Sequence, residues 1–229
     1  MKRRIESLIR RNELNSFDEY FRLLKRSDRH LNEFLDYITI NVSEFFRNPS
    51  QWQTLEKEIL PKVMSNKMRL RVWSSASASG EEPYSLAIMF NEMGIKNAHI
   101  LATDIDVKAI ERAKMGVYSS KSLANLPQDQ IDRYFGKDKE QYIISDIIKQ
   151  GVEFKRLDLL EDNFPTKMDL ILCRNVMIYF TEEAKGRLYH KFHKALDDKG
   201  IFFVGSTEQI IVPYEYGFTS VKSFFYQKT

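Results

Sequence analysis

The feature that most constrains this chain is a change in hydrophobic period. Up to about residue 61 apolar residues recur at helical spacing alone; from about residue 70, short strand-like runs alternate with helical stretches. Such alternation implies a mostly parallel sheet covered on both faces, because each parallel crossover needs a long connection, usually a helix, to bring the chain back. Strands are read at Leu70–Ser75, His99–Thr103, Val152–Leu157, Asp169–Cys173, Ile201–Gly205 and Val221–Gln227. The intervening helices are read at Pro83–Met93, at Asp106–Met115 closed by Gly116, and from Thr181 to near Gly200. A further helix begins near Ser50 and stops at Pro61, with Trp52, Leu55 and Ile59 facing inward.

The helical part opens differently. Ser16-Phe17-Asp18-Glu19 forms a capping box, in which a hydroxyl and a carboxylate satisfy orphan backbone N–H groups. Phe17, Tyr20, Phe21 and Leu24 follow at helical spacing, and Leu31, Phe34, Leu35 and Ile38 repeat the pattern. Both stripes are expected to be core. The first helix has no N-cap, so the helical part is expected to be truncated. The expected organisation is a helical domain over 1–45 and an α/β domain over 46–229, interrupted by a small β insert at about 118–151. In that insert residues 142–144 and 152–154 are expected to pair antiparallel.

Composition excludes some classes. With 43% hydrophobic and 29% charged residues, the chain is an ordinary globular protein. Cys173 is its single cysteine, which rules out an internal disulfide and suits a reducing compartment. No apolar run approaches the ~20 residues that span a bilayer. The start lacks the apolar stretch of a signal peptide. The expectation is a cytoplasmic protein without membrane insertion. Lys2, Arg3, Arg4, Arg10 and Arg11 outweigh Glu6 in the first twelve residues. That basic excess is either a solvated helix face or a device that steers an acidic partner, protein or nucleic acid.

In open α/β sheets ligands bind outside the carboxyl ends of the strands. The segment after the first strand, Ser75-Ala76-Ser77-Ala78-Ser79-Gly80-Glu81-Glu82-Pro83-Tyr84, has small residues that admit a ligand to the backbone. Pro83 suits the first helical position. The dinucleotide fingerprint G-x-G-x-x-G is absent, and Glu81 and Glu82 would repel a pyrophosphate. A cationic ligand fits better, and S-adenosylmethionine carries both a sulfonium and an ammonium. After the second strand, Asp104 is placed to hold ribose hydroxyls, while Asp106 caps the next helix. A Mg²⁺ site at Asp104 and Asp106 lacks a third ligand. The Asn/Asp-Pro-Pro-aromatic turn of many amide- and base-nitrogen methyltransferases is missing from Cys173-Arg174-Asn175-Val176-Met177-Ile178-Tyr179-Phe180. Its absence counts against nitrogen methylation of DNA, RNA or glutamine, and no nucleic-acid partner is expected. Cys173 has no nearby histidine to act as its base, and His190 with His193 makes too few ligands for a metal.

Together these segments resemble the CheR-type protein-glutamate O-methyltransferases. The resemblance rests on residues 39–49 (TINVSEFFRNP), 80–85 (GEEPYS), 102–106 (ATDID), 173–180 (CRNVMIYF) and 205–208 (GSTE), in family order over nearly the whole chain. It implies a small N-terminal all-helical domain and a Rossmann-like methyltransferase sheet. It also implies that S-adenosylmethionine is bound, with S-adenosylhomocysteine as product, by Asn41, Ser43, Arg47, Glu82, Asp104, Asp158, Leu159, Arg174 and Asn175. Arg47 and Tyr179 resemble the pair that orients the substrate. The activity implied is methyl esterification of glutamate side chains on methyl-accepting chemoreceptors during chemotaxis adaptation. The partners would be acidic cytoplasmic receptor helices, met by the basic N-terminal face. Ser43 stands where threonine is frequent, the first loop reads Ser-Ala-Ser where Ala-Ala-Cys is common, and Asp158 replaces a frequent asparagine. Residues 137–150 contain no glycine, so the chain resembles family members that work without a receptor pentapeptide.

Overall fold

The computed structural model describes residues 2–38, 43–65 and 67–229. The chain divides into two units, residues 1–42 and 43–229. In the first, α1 (Lys2–Arg11), α2 (Phe17–Arg26) and α3 (Asp28–Ile38) gather around buried Leu8, Ile9 and Tyr20. Ser16 caps α2 by accepting the Glu19 N–H at 3.2 Å, and the Glu19 carboxylate answers by accepting from Asn15 N at 3.0 Å. The stripe read as core is only partly so. Tyr20 is buried and stacks edge-on against Phe34, but Phe17 and Phe21 are 47% and 56% exposed. Leu31 is exposed too. Helices of ten or eleven residues shield only the residues on the line of closest approach, so a wide stripe spills into solvent. The Leu35 and Ile38 side chains lie outside the described residues.

The second unit begins with α4 (Pro49–Thr54), a π turn (Leu55–Ile59) and α5 (Leu60–Met64). The helix therefore runs through Pro61 rather than stopping there. The π turn re-registers the hydrogen bonds just before the proline, so that Pro61 falls in the first turn of α5, where it needs no N–H. Trp52, Leu55 and Ile59 all face the core.

Next come β1 (Leu70–Ser74), α6 (Glu81–Glu92), β2 (Ala98–Asp104) and α7 (Val107–Met115). Gly80, at φ +94°, is the N-cap of α6, so the helix starts two residues before Pro83, which sits in its third position. Asp106 caps α7 by accepting the Lys108 N–H at 2.8 Å, and Gly116 ends it in the left-handed conformation. The insert follows as β3 (Val117–Ser119), α8 (Gln128–Tyr134), β4 (Phe135–Asp138), β5 (Gln141–Ile144) and α9 (Asp146–Lys149). The β5 strand pairs antiparallel with β3 and β4, not with residues 152–154. That later run is β6 (Val152–Arg156), a parallel edge strand of the main sheet. The chain closes with β7 (Met168–Cys173), a 3-10 turn (Met177–Tyr179), α10 (Glu182–Ala195), β8 (Leu196–Val204), β9 (Phe218–Lys222) and β10 (Phe225–Lys228). Thus α10 ends five residues before Gly200, and the last segment is a hairpin of two strands.

The main sheet has the order β6-β2-β1-β7-β8-β10-β9. Its first five strands are parallel, and β10 and β9 add antiparallel at the far edge. Successive residues point to opposite faces. Val72, Ile100, Leu172 and Phe203 enter one core cluster with α6 and the insert. Trp73, Leu101, Ile171 and Phe202 enter the other, with Leu188 and Phe192 of α10. The parallel register sets the carboxyl ends side by side, Ser74 beside Ala102 and Leu172, Asp104 beside Arg156, and Cys173 beside Val204. Every loop of interest leaves from that rim.

Candidate functional site

The loop after β1 is tied to its neighbours by backbone: Ser75 N donates to Leu172 O and Ser77 N to Thr103 O, both at 2.9 Å. Asp104 completes the fastening. Its Oδ2 accepts from Ala78 N at 2.8 Å and its Oδ1 from Asp106 N at 2.9 Å. Each carboxylate oxygen keeps a second acceptor position, so the loop contacts and a diol are compatible. Burial pushes the Asp104 carboxyl up, and the backbone N–H groups pull it back.

Glu82, in the first turn of α6, meets three elements. Ser74 Oγ donates to its Oε1 at 2.8 Å, and Arg174 Nη1 donates to Oε2 at 3.2 Å. The Arg174 side chain is 2% exposed and that of Glu82 16%. The second amino group of Arg174 donates to Arg47 O at 2.8 Å, Gln51 Oε1 at 2.9 Å and, more weakly, Asn48 Oδ1 at 3.4 Å. Its guanidinium carbon lies 4.7 Å from the centre of the Phe203 ring and 5.5 Å from that of Trp52. Burial drives the Glu82 carboxyl up against the pull of Arg174 and Ser74. The same desolvation pushes Arg174 down, although a guanidinium this basic keeps its proton. Arg174 Nε is buried and has no partner among the described residues.

A third knot joins the loops after β7 and β8. Buried Glu208 folds back so that Oε2 accepts from Asn175 N at 2.6 Å and Gly205 N at 2.9 Å, and Oε1 from Ile178 N at 3.4 Å. Asn175 has φ +61°, a left-handed backbone that this clamp holds in place. Tyr179 lies at the end of the turn that Glu208 anchors and is 49% exposed. A fourth knot follows β6. Asp158 Oδ1 accepts from Leu160 N, Asp162 Oδ2 accepts from Asp158 N, and Leu159 is buried.

Four separate knots thus line the carboxyl rim, and Glu82, Asp104, Asp158, Leu159, Arg174 and Asn175 all belong to them. Arg47 contributes its carbonyl to the Arg174 knot, and its side chain is half-buried. Ser43 is half-buried, and Asn41 lies outside the described residues. Ser74, Gln51 and Glu208 were not assigned roles by sequence reasoning. Their partners lie 8, 123 and 33 residues away, so no local spacing announced them. Cys173 is fully buried with its thiol pushed well up by burial, which leaves it inert as a nucleophile. No cluster of metal-ligating side chains occurs among the described residues, and no helix among them is long and apolar enough to cross a membrane.

Comparison with known proteins agrees along the chain. The family model described as "CheR methyltransferase, SAM binding domain" matches residues 41–225, and "CheR methyltransferase, all-alpha domain" matches residues 1–39. A chemotaxis protein methyltransferase of Listeria monocytogenes is 43% identical over 100% of this chain and 88% of its own length. One from Borreliella burgdorferi is 34% identical over 90% of this chain and 78% of its own. Among solved structures, a TehB-like SAM-dependent methyltransferase from Corynebacterium glutamicum superposes with a TM-score of 0.44 at 15% identity, over 79% of this chain and 94% of that one.

Proposed function

This chain belongs to the CheR methyltransferase family, and from that premise we propose how its residues carry out the reaction. It is an S-adenosylmethionine-dependent methyltransferase that methylates chemoreceptors in chemotaxis. The residues assigned to the methyl donor are Asn41, Ser43, Arg47, Glu82, Asp104, Asp158, Leu159, Arg174 and Asn175. The observation that carries this assignment is the Glu82–Arg174–Ser74 array, a carboxylate held in a dry place at the switch of the sheet. The donor set fits the molecule. Half-buried Glu82 and Asp104, whose carboxyls burial pushes up, are stabilised as anions by a cation. When bound, S-adenosylmethionine supplies an electrophilic methyl group on a sulfonium.

The accepting group is a glutamate carboxylate, already about 99% ionised at pH 7. No general base is needed. Opposite charges cancel as the methyl moves, so a dry pocket favours the reaction, and what remains for the protein is alignment. A bidentate grip by Arg47 on the attacking carboxylate would stabilise the reactant over the transition state. Arg47 is therefore assigned to the donor's carboxylate or the distal oxygen of the glutamate. Tyr179, exposed at the rim, gives one directional hydrogen bond without adding charge. The basic start of the chain steers the enzyme toward acidic receptor helices; Arg10 and Arg11 are exposed, while the Lys2, Arg3 and Arg4 side chains lie outside the described residues. Catalysis takes place in the cytoplasm. The hairpin between β4 and β5 turns through Lys139 at φ +55°, without glycine, and supports a mode of receptor recognition that needs no C-terminal pentapeptide.

The test is incubation with methyl-labelled S-adenosylmethionine and receptor cytoplasmic fragments, with and without their last five residues. Label that mild alkali releases identifies glutamyl esters. Alkali-stable label refutes carboxylate transfer, and label that requires the pentapeptide refutes the independent mode.

A further inference from the structure

Lys191 lies on α10, outside every group of residues assigned above, and its ammonium is used up entirely by backbone. It donates to Leu159 O at 2.7 Å, Asp162 O at 2.9 Å and Leu160 O at 3.4 Å. Its Nζ also sits 4.2 Å from the centre of the Phe164 ring, and that ring is itself wedged between Trp73 and Phe192. A lysine with three carbonyl partners has no donor left for solvent or ligand. Three carbonyls of one short loop turned toward a single cation is an arrangement their own dipoles would oppose without it. Removing water from the ammonium lowers its proton affinity, and Asp158, Glu161 and Asp162 act in the opposite direction.

The loop concerned, residues 158–162, is otherwise held by the Asp162 carboxylate, which accepts from Asp158 N and, at 3.2 Å, from the exposed Arg156 guanidinium, and by the Asp158 carboxylate on Leu160 N. With the carbonyls of 159 and 162 drawn toward α10, the peptide planes of the loop are fixed. Asp158 O is taken by Asp162 N at 2.9 Å, and Leu160 N by Asp158 Oδ1. The Leu159 N–H is left without a partner among the described residues. With the carbonyls of 159, 160 and 162 on Lys191 and the N–H groups of 158, 160 and 162 bonded within the loop, the Leu159 N–H is a donor left for a flat heterocycle with nitrogen acceptors.

We propose that Lys191 is a positioning residue for methyl-donor binding, acting through the Leu159–Asp162 carbonyls to set the loop that receives the purine half of the donor. The inference rests on the assignment of Asp158 and Leu159 to that molecule. Lys191 does not touch the donor. Its effect belongs to the affinity for the adenosine portion and not to the transfer step, which is assigned to Arg47 before α4 and Tyr179 after β7.

Three variants of the full chain test this: Lys191→Met, which keeps the apolar stem; Lys191→Gln, which keeps N–H donors without charge; and Lys191→Arg, which keeps both. S-adenosylhomocysteine and 5′-methylthioadenosine binding is measured by calorimetry, with kcat and KM for S-adenosylmethionine on a receptor fragment. Hydrogen bonds from a charged donor lead us to expect a roughly tenfold weaker Kd for Lys191→Met and about fivefold for Lys191→Gln, equal for the two ligands. KM should rise in step, kcat at saturation should stay within about twofold, and Lys191→Arg should restore most of the affinity. If Lys191→Met does not fold, Lys191→Gln decides. An uncharged folded variant that binds both ligands like the wild type, or one that lowers kcat with KM unchanged, overturns the inference. Failure of the wild type to bind either ligand would instead refute the site assignment on which it rests.

Discussion

Arg174→Met makes the sharpest perturbation of the site, because its consequences follow from named contacts. The change removes the 3.2 Å ion pair to Glu82 and the hydrogen bonds to Arg47 O and Gln51 Oε1, while methionine still fills much of the space against Trp52 and Phe203. Arg47 O keeps the Trp52 Nε1 donor at 2.9 Å, so that acceptor is not orphaned. Glu82 is. Ser74 alone remains to it, in a setting where burial already pushes its carboxyl up. Breaking one side of a buried pair costs about 3–5 kcal/mol. For a unit of this size that is a drop in Tm of about 10 °C. The sign of the pH dependence distinguishes this cause from lost packing. With its partner gone, Glu82 rises further in the folded state, which then binds a proton more readily than the unfolded chain. Stability is therefore recovered as pH falls and lost as it rises through the folded-state value. Thermal unfolding of Arg174→Met and wild type between pH 5 and 8 should show a deficit that shrinks on acidification, and Glu82→Gln in the same chain should reduce it. A deficit that does not change with pH, or a Tm within about 2 °C of wild type, would refute the reasoning.

Other consequences are as direct. At Gly205 a Cβ would overlap the Glu208 carboxylate and lie 2.9 Å from Asn175 N; Gly205→Ala should cost about 1–3 kcal/mol in denaturant unfolding and lower kcat. Tyr179→Phe should reduce kcat about tenfold or more and leave S-adenosylhomocysteine affinity unchanged in calorimetry. Because burial raises both Glu82 and Asp104, their anionic forms are lost at higher pH than for exposed carboxylates. Affinity for the cationic S-adenosylmethionine should therefore weaken on acidification from neutral, and more steeply than that of its demethylated product. KM for receptor fragments should rise about threefold from low to moderate salt if the basic N-terminal face steers association.

The strands and the rim they create were legible because their signal is local. A run such as Leu170–Cys173 needs only its own residues to declare itself buried on both faces. Asp106 as helix cap and Gly116 as helix stop were equally local. What escaped depended on distant partners or on a competing rule. Pro61 reads as a terminator until the π turn before it removes the conflict. Leu196–Lys199 continues a helical pattern, yet pairing with β7 draws it into β8. Residues 142–144 found β3 and β4, and 152–154 found β2, because both runs satisfy the same alternation and only the completed sheet decides between them. Phe17 and Phe21 obey helical periodicity, and nothing in periodicity says how wide a stripe a small bundle covers. At the site, the residue types at the strand ends were apparent. Glu208 and Arg174 as organisers of loops were not, since each gathers groups scattered along the sequence.

The Arg174 knot also explains how segment 44–52 is held, and so where Arg47 is carried. Phe46 and Asn48 adopt φ of +50° and +63°, a conformation costing roughly 1–2 kcal/mol at each non-glycine residue. Two such residues flanking Arg47 persist only if the surroundings overdetermine them. They do: Phe46 N donates to Ser85 Oγ at 2.9 Å, Phe45 O accepts from Asn125, and Arg47 O accepts from both Trp52 and Arg174. Arg174 therefore serves two ends with one group, pairing with the acid assigned to the methyl donor and fixing the backbone that carries Arg47. An apolar residue in its place would spare the desolvation of two charges, and buried pairs replaced in full are often no less stable. What an apolar pair lacks is the coupling: the acid at Glu82 and the backbone at Arg47 would no longer be set by the same guanidinium, so the two groups assigned to donor and substrate would lose their common reference.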